Sequence, residues 1–341
     1  MTGIGRGAKA GVLVRNAEAL EMLEKADVLV VDKTGTLTTG KPAVTALLPA
    51  GGYNETSLLS LAAALEQGSE HPIAQAITQA ASAKNLPLPK ITGFTAIPGR
   101  GVCGDWEDEE VMLGNAGLVD GIDFSAFQAQ AAKLQADGAT VVYLAADGKP
   151  AGIIAVSDTV KANAAESIRA LKMQNLRIIM LTGDAQGSAD AVAKQLGISE
   201  VFAGVLPHDK AQVVKDLQKQ GRLVAMAGDG VNDAPALAQA DIGIAMGTGS
   251  DIALQSAGIT LLHGDLSGIL RARNLSKATL RNIRQNLFFA FVYNAAGVPV
   301  AAGILYPFFH ILLSPIHAAA AMSLSSLSVI LNALRLRRAK I

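Results

Sequence analysis

The amino-acid sequence predicts an α/β chain: a doubly wound parallel sheet, interrupted by an inserted α+β domain and followed by a C-terminal transmembrane helical hairpin. Three observations lead there. Short apolar runs alternate with helical patterns, and several of the runs end in an acid or a glycine–acid turn, as buried parallel strands do. The first run is separated from the others by more than a hundred residues, so the sheet is discontinuous in sequence. Finally, no Asp, Glu, Lys or Arg occurs between Gln285 and Leu334, a stretch more than twice the ~20 residues that one spanning helix needs.

Taken in order, residues 1–7 lack the apolar core of a signal peptide. Ala17–Leu23 carries a helical pattern, and Val28-Leu29-Val30-Val31, bounded by Asp27 and Asp32, reads as the first strand. From Lys41 to about Ala155, helix-like segments mix with glycine turns and alternating stretches such as Thr140–Leu144. Arg177–Leu181, a helix near 188–196, Leu223–Ala227 and Ile242–Met246 then resume the strand–helix alternation. The expected domains are 1–41 with 156–280, and the insertion 42–155. Pro307 and Pro315, with His310 between them, divide the uncharged run into expected spans 286–306 and 314–334. Arg281 and Arg284 precede the pair; Arg335, Arg337, Arg338 and Lys340 follow it. Positive residues at both ends put both termini and both domains on the cytoplasmic side of a bacterial-type plasma membrane. The plainer alternative is a buried hairpin in a soluble core.

Composition narrows the classes. Lys+Arg and Asp+Glu balance at 29 each, which excludes the basic surplus of a nucleic-acid binder. One cysteine, Cys103, rules out an internal disulfide and cannot alone build a thiolate metal site.

The chemistry lies at strand ends, where open parallel sheets gather ligands. The first strand delivers Asp32-Lys33-Thr34-Gly35-Thr36-Leu37-Thr38, the second Thr182-Gly183-Asp184, and the third Gly228-Asp229-Gly230-Val231-Asn232-Asp233, with Lys210 between the last two. Phosphoryl transfer asks for this set. A carboxylate nucleophile, Asp32, needs its charge and that of the phosphate neutralised. Mg²⁺ prefers a few carboxylates plus phosphate oxygens, which Asp32 and Asp229 can supply. Lys210 and the Thr182 hydroxyl can hold the phosphoryl oxygens; Asp184 joins the catalytic set, and Asp233 supports the metal or its loop. Any one of these acids alone reads as a turn or a helix cap; their joint order is what carries the signal.

Asp32–Thr38 resembles the phosphorylation signature of P-type ATPases, and Gly228-Asp229-Gly230-Val231-Asn232-Asp233-Ala234-Pro235 resembles their hinge motif. The resemblance implies a haloacid-dehalogenase-like phosphorylation domain with an inserted nucleotide-binding domain. It further implies phosphorylation of Asp32, Mg²⁺ on Asp229, and the backbone carbonyl of Thr34 in the same shell. His208 departs from the pattern, where an acid is commoner, and implies tuning of Lys210 beside it.

Within the insertion, Glu66, Ser69-Glu70-His71-Pro72, Pro98-Gly99-Arg100-Gly101-Val102 and Gly114-Asn115 are similar to the nucleotide pocket of heavy-metal P-type ATPases. A His-Pro dipeptide alone is ordinarily just a helix start. The resemblance implies that Glu66, His71, Gly99, Gly101 and Asn115 hold the adenosine part of ATP. In the expected spans, Tyr293-Asn294 and Met322-Ser323-Leu324-Ser325-Ser326 resemble the copper(I)-exporting branch. Bare, Met322 reads as packing and the serines as interhelical glue. The absence of carboxylates disfavours hard ions, and a thioether suits a soft one. Tyr293, Asn294, Met322 and Ser326 are therefore the expected ligands for transported Cu⁺.

The resemblance covers only the latter part of such a pump. It implies six earlier helices, a Cys-Pro-Cys site and an actuator domain outside this sequence, with a lipid bilayer, ATP, a copper ion, the remainder of the pump or a copper chaperone as partners. A membrane-anchored phosphatase of the same superfamily, a nucleotide-binding regulatory partner of a full-length pump, and a zinc or cadmium pump remain as rivals. Thr34 disfavours the first, because such phosphatases place a second Asp there. Intact Asp32, Lys210 and Asp229 disfavour the second, and the lack of an acid or Lys in the last two helices disfavours the third.

Overall fold

The computed structural model describes residues 2–247, 249–302, 304 and 315–336, with the side chains of 294, 301, 315–319, 321 and 322 outside that description. In chain order its strands are β1 Val12–Val14, β2 Val28–Asp32, β3 Thr38–Pro49, β4 Thr92–Ile97, β5 Gly101–Trp106, β6 Glu109–Gly114, β7 Thr140–Ala146, β8 Lys149–Val160, β9 Arg177–Leu181, β10 Glu200–Phe202, β11 Val224–Gly228, β12 Ile242–Met246 and β13 Ile259–Leu261. Two compact units share them. One comprises Met1–Leu29, Ala170–Arg177 and Ala211–Ile341, the other Val30–Arg169 and Ile178–Lys210.

The first unit orders its strands β1, β13, β12, β11, with β1 antiparallel and the other pairings parallel. β11 and β12 are buried along their whole length, which explains their continuous apolar sequence. The helix Ala17–Lys25 starts where the Asn16 side chain accepts from the Ala19 N–H at 2.8 Å, satisfying one of the free N–H groups at a helix start. Buried Arg273 donates to the carbonyls of Leu23 and Ala26 at its other end.

In the second unit, β9 and β10 pair in parallel, and β3-β8-β7-β6-β5-β4 form an antiparallel sheet. The helices Glu55–Glu66 and Pro72–Ala83 cover the antiparallel sheet through Leu58, Leu61, Leu65, Ile77, Leu113 and Leu144, all essentially inaccessible. Each helix start is specified locally, one by the reciprocal Asn54–Ser57 cap and one by His71 with Pro72 in the first turn. β3 and β8 pair from Thr38–Val160 to Pro49–Gly152, so the chain enters and leaves this sheet side by side. Directly after Asp32, a tight turn over Lys33–Leu37 is opened at Thr34 (ψ 130°) and Gly35 (φ 72°), a left-handed conformation that glycine adopts without penalty.

The described helices do not by themselves support the two expected C-terminal spans. Helices run Ser267–Ala301 and Pro315–Arg335, the first starting well before 286, and among the described residues no helix is long and apolar enough to cross a membrane. The first half of the longer helix is charged and packs in the first unit, with Ala272, Leu275 and Ser276 buried. The expected turn between the two helices lies outside the described residues. The helices meet through an amide cluster, Asn282 Nδ2 donating to the Asn332 carbonyl at 2.7 Å and Asn332 Nδ2 to Asn286 Oδ1 at 2.9 Å. Short β1 also escaped the sequence reading, because three residues carry too little periodicity.

Candidate active site

Asp32 is the last residue of β2, and all five residues of that strand are buried. Lys210, near the start of the helix Pro207–Lys219, donates to Asp32 Oδ1 at 2.5 Å. Both side chains are about 7% exposed, so the pair is shielded from solvent. His208 stands exposed two residues away, its Nε2 3.4 Å from Asp209.

Around the turn after Asp32, two further clamps act. Buried Lys33 forms an ion pair with Asp184 and donates to Ser188 Oγ at 3.3 Å. The Asp184 N–H in turn donates to Thr182 Oγ1 at 3.1 Å. On the other side, the Asp158 carboxylate accepts from Thr38 Oγ1 at 2.5 Å, Thr39 Oγ1 at 3.1 Å and the Gly40 N–H at 2.9 Å, while Lys161 donates to the Gly35 carbonyl. Within the turn, Thr36 Oγ1 is buried without a hydrogen-bond partner, whereas Thr34 is exposed. Sequence reasoning missed Thr36, Asp158 and Lys161; the signal was an acid and a lysine at the end of β8, where the chain returns from the insertion.

Asp229 and Asp233 lie in the first unit, after β11. Asp233 is buried and its Oδ2 accepts from the N–H groups of Asp229 and Gly230 at 3.3 and 3.2 Å. A Cβ on Gly228 would meet the Asp233 side chain at 2.7 Å. That loop is thus shaped around one carboxylate, and Asp229 and Asp233 bring to it the hard oxygen donors that suit Mg²⁺.

The antiparallel sheet carries a cavity of about 380 Å³ lined by Glu66, His71, Gly99, Gly101 and Asn115, together with Arg100 and Ile97, which the sequence reading had not singled out. Glu66 is buried, and its Oε2 has no hydrogen-bond partner. Burial pushes its carboxyl pKa up, and Ser69 and His71 offset that only in part. His71 Nδ1 accepts from the Ile73 N–H at 3.2 Å, so the imidazole serves as a helix cap while it lines the cavity. Asn115 Nδ2 donates to the Gly99 carbonyl at 2.9 Å and ties the turn at φ +74° to the end of β6. Gly101 has φ +152°, and a Cβ there would lie 2.2 Å from the Leu113 carbonyl oxygen.

Of the expected cargo ligands, Tyr293 is 37% exposed on the first long helix and Ser326 is exposed on the second. The side chains of Asn294 and Met322 lie outside the described residues.

Comparison with known proteins adds three findings. A family model for haloacid dehalogenase-like hydrolases matches residues 26–241. A silver exporting P-type ATPase of Salmonella typhimurium and a copper-transporting P-type ATPase of Rhizobium leguminosarum bv. viciae are each 57% identical over all of this chain, which covers 42% and 41% of their lengths. The crystal structure of a zinc-transporting PIB-type ATPase in its E2.Pi state superposes with a TM-score of 0.90 at 39% identity, over 98% of this chain and 54% of that one. The chain spans about two-fifths of the length of those two curated relatives.

Proposed function

This chain belongs to the heavy-metal P-type ATPases, within the haloacid dehalogenase-like hydrolases, and from that premise we propose that it takes the γ-phosphate of ATP onto Asp32 to drive export of Cu⁺. The buried Asp32–Lys210 pair carries the reading. With Oδ1 held by Lys210, the other carboxylate oxygen attacks the γ-phosphorus, the bond to the bridging oxygen breaks, and ADP leaves with that oxygen's electrons. Lys210, Thr182 and Thr36 offer donors to the phosphoryl oxygens as charge shifts onto them. Lys33, pinned by Asp184, and Asp158 keep the turn rigid around the nucleophile. Asp32, the carbonyl of Thr34, Asp229 and Asp233 would hold Mg²⁺, which neutralises charge between carboxylate and triphosphate when bound. Transfer of ³²P from [γ-³²P]ATP onto the chain, stable to acid and labile to hydroxylamine, tests the assignment.

Residues 42–155 are proposed as the nucleotide-binding domain, and 1–41 with 156–280 as the phosphorylation domain. The unpartnered Glu66 Oε2 is suited to accept from the exocyclic amine of adenine, with Gly99 and Gly101 letting the backbone approach. Glu66→Ala is expected to weaken ATP binding about tenfold, the loss of one hydrogen bond to a charged group. Its raised carboxyl pKa has a second consequence. Between the ordinary value of 4.5 and the raised one, the folded chain binds more protons than the unfolded one, so stability falls as pH rises through that window. Glu66→Gln should remove that fall, giving a Tm at neutral pH above wild type in calorimetric scans; an unchanged pH profile would refute the argument.

Gly101→Ala must displace the β5–β6 backbone and is expected to cost about 3 kcal/mol along with at least ten times in ATP affinity. Gly99→Ala meets open space and should cost only about 1 kcal/mol. Urea titrations and ATP calorimetry on the two variants check the difference.

Tyr293, Asn294, Met322 and Ser326 are proposed as cargo ligands. The lack of any carboxylate or lysine between Gln285 and Leu334 favours a soft monovalent ion over the zinc of the solved PIB-type relative. Exposed Leu287, Phe291, Val298, Leu324, Leu327 and Leu331 support burial of this pair of helices in lipid, with both catalytic domains in the cytoplasm. A copper chaperone or the rest of the pump would act with this chain.

A further inference from the structure

We propose that the cavity formed by Glu24, Lys277, Arg281, Arg284, Gln285 and Phe288 is a binding site for the phosphate of an anionic phospholipid. It measures about 410 Å³, and none of its residues takes part in the phosphoryl-transfer or nucleotide sites. Three cations face one acid. Glu24 is spent on Arg284, at 3.6 Å. Lys277 donates to the neutral Gln174 Oε1 at 2.8 Å, and among the described residues neither it nor exposed Arg281 makes an ion pair. Burial and the neighbouring Arg273 both pull the Lys277 pKa down, against the opposite pull of Glu24.

The geometry singles out a lipid among anions. Residues 277, 281, 284/285 and 288 recur at three or four, so they share one face of the Ser267–Ala301 helix. Along that face the cations give way to Phe288, and Leu287, Phe288 and Phe291 are all exposed just beyond. A free phosphate has use for the cations alone. A phospholipid uses both parts, its phosphate on Lys277 and Arg281 and its acyl chains along the aromatic surface. The proposal rests on the reading that these helices lie in a bilayer.

Flotation of the whole chain with phosphatidylcholine vesicles, with and without phosphatidylglycerol, tests the site and that reading separately. The wild type is expected to partition into neutral vesicles and to gain affinity when phosphatidylglycerol is present. Arg281→Gln should cut the gain about fivefold and Lys277→Gln/Arg281→Gln about 25-fold, both leaving neutral partitioning unchanged, while Glu24→Gln should increase it. Failure to enter neutral vesicles would overturn the bilayer reading. Normal entry with a gain that Arg281→Gln and Glu24→Gln leave untouched would overturn this site alone, as would abolition of the gain by soluble glycerol phosphate at equal concentration.

Discussion

Asp32→Asn is expected to accept no label from [γ-³²P]ATP, a loss of at least a thousandfold against wild type, while binding ATP with unchanged affinity. The amide is nearly the same size and can still accept from Lys210, so the fold around β2 should persist. What disappears is the anionic nucleophile: an amide oxygen attacks phosphorus far more weakly, and no other group at this strand end can replace it. The nucleotide cavity lies in the antiparallel sheet, and Asp32 is not among its lining residues, so calorimetric binding of ATP separates lost chemistry from lost folding. Equal labelling of the two proteins would remove Asp32 from the mechanism.

Lys210→Met should show the next largest effect, and in two observables. Methionine keeps most of the length and volume but leaves Asp32 buried beside an apolar chain. Removing one partner of a buried ion pair costs about 3–5 kcal/mol, and loss of a donor poised on the reacting oxygens costs about 10²–10³ in rate. The two origins can be told apart with a double variant. In an Asp32→Asn background the buried charge is already gone, so the stability cost of Lys210→Met should shrink to about 1 kcal/mol. Equal costs in both backgrounds would mean that Lys210 stabilises the fold by packing alone. Lys210→Arg keeps the charge but not the compact ammonium and should recover stability better than rate.

These expectations draw unequally on sequence and on structure. Asp32 was legible because its apolar strand and acid are followed, in order, by Thr182-Gly183-Asp184, Lys210 and Gly228-Asp229; alone it would have read as a turn or a helix cap. Lys210 was legible as a cation of the site, though as a ligand for phosphate; its hold on Asp32 Oδ1 became visible only in the fold. Glu66, His71, Gly99, Gly101 and Asn115 were named by resemblance, and they line one cavity. The unpartnered oxygen of Glu66 and the double use of His71 were not readable in advance. Thr36, Asp158 and Lys161 went unnoticed because each is an ordinary residue until its partner is known. The uncharged run near the C-terminus promised two spans by composition. Composition does not say where a helix starts, and the first of these helices begins nineteen residues earlier than expected, at Ser267 rather than 286.

By itself, then, the sequence determined the apolar strands that end in the acids of the site, those acids themselves, and the helix start at His71-Pro72, while the glycines of the nucleotide turn came by resemblance. All of these are set by interactions within a few residues: side-chain periodicity, one N-cap hydrogen bond, a permitted positive φ. Tertiary structure alone decided that Lys33 is held by Asp184, that Asp158 clasps Thr38 through Gly40, and that Glu24 meets Arg284. Such pairs are distant in sequence, and a charge carries no label for its partner. Which cation meets which carboxylate is settled by how the sheets and helices pack, and only after the loops between them have closed.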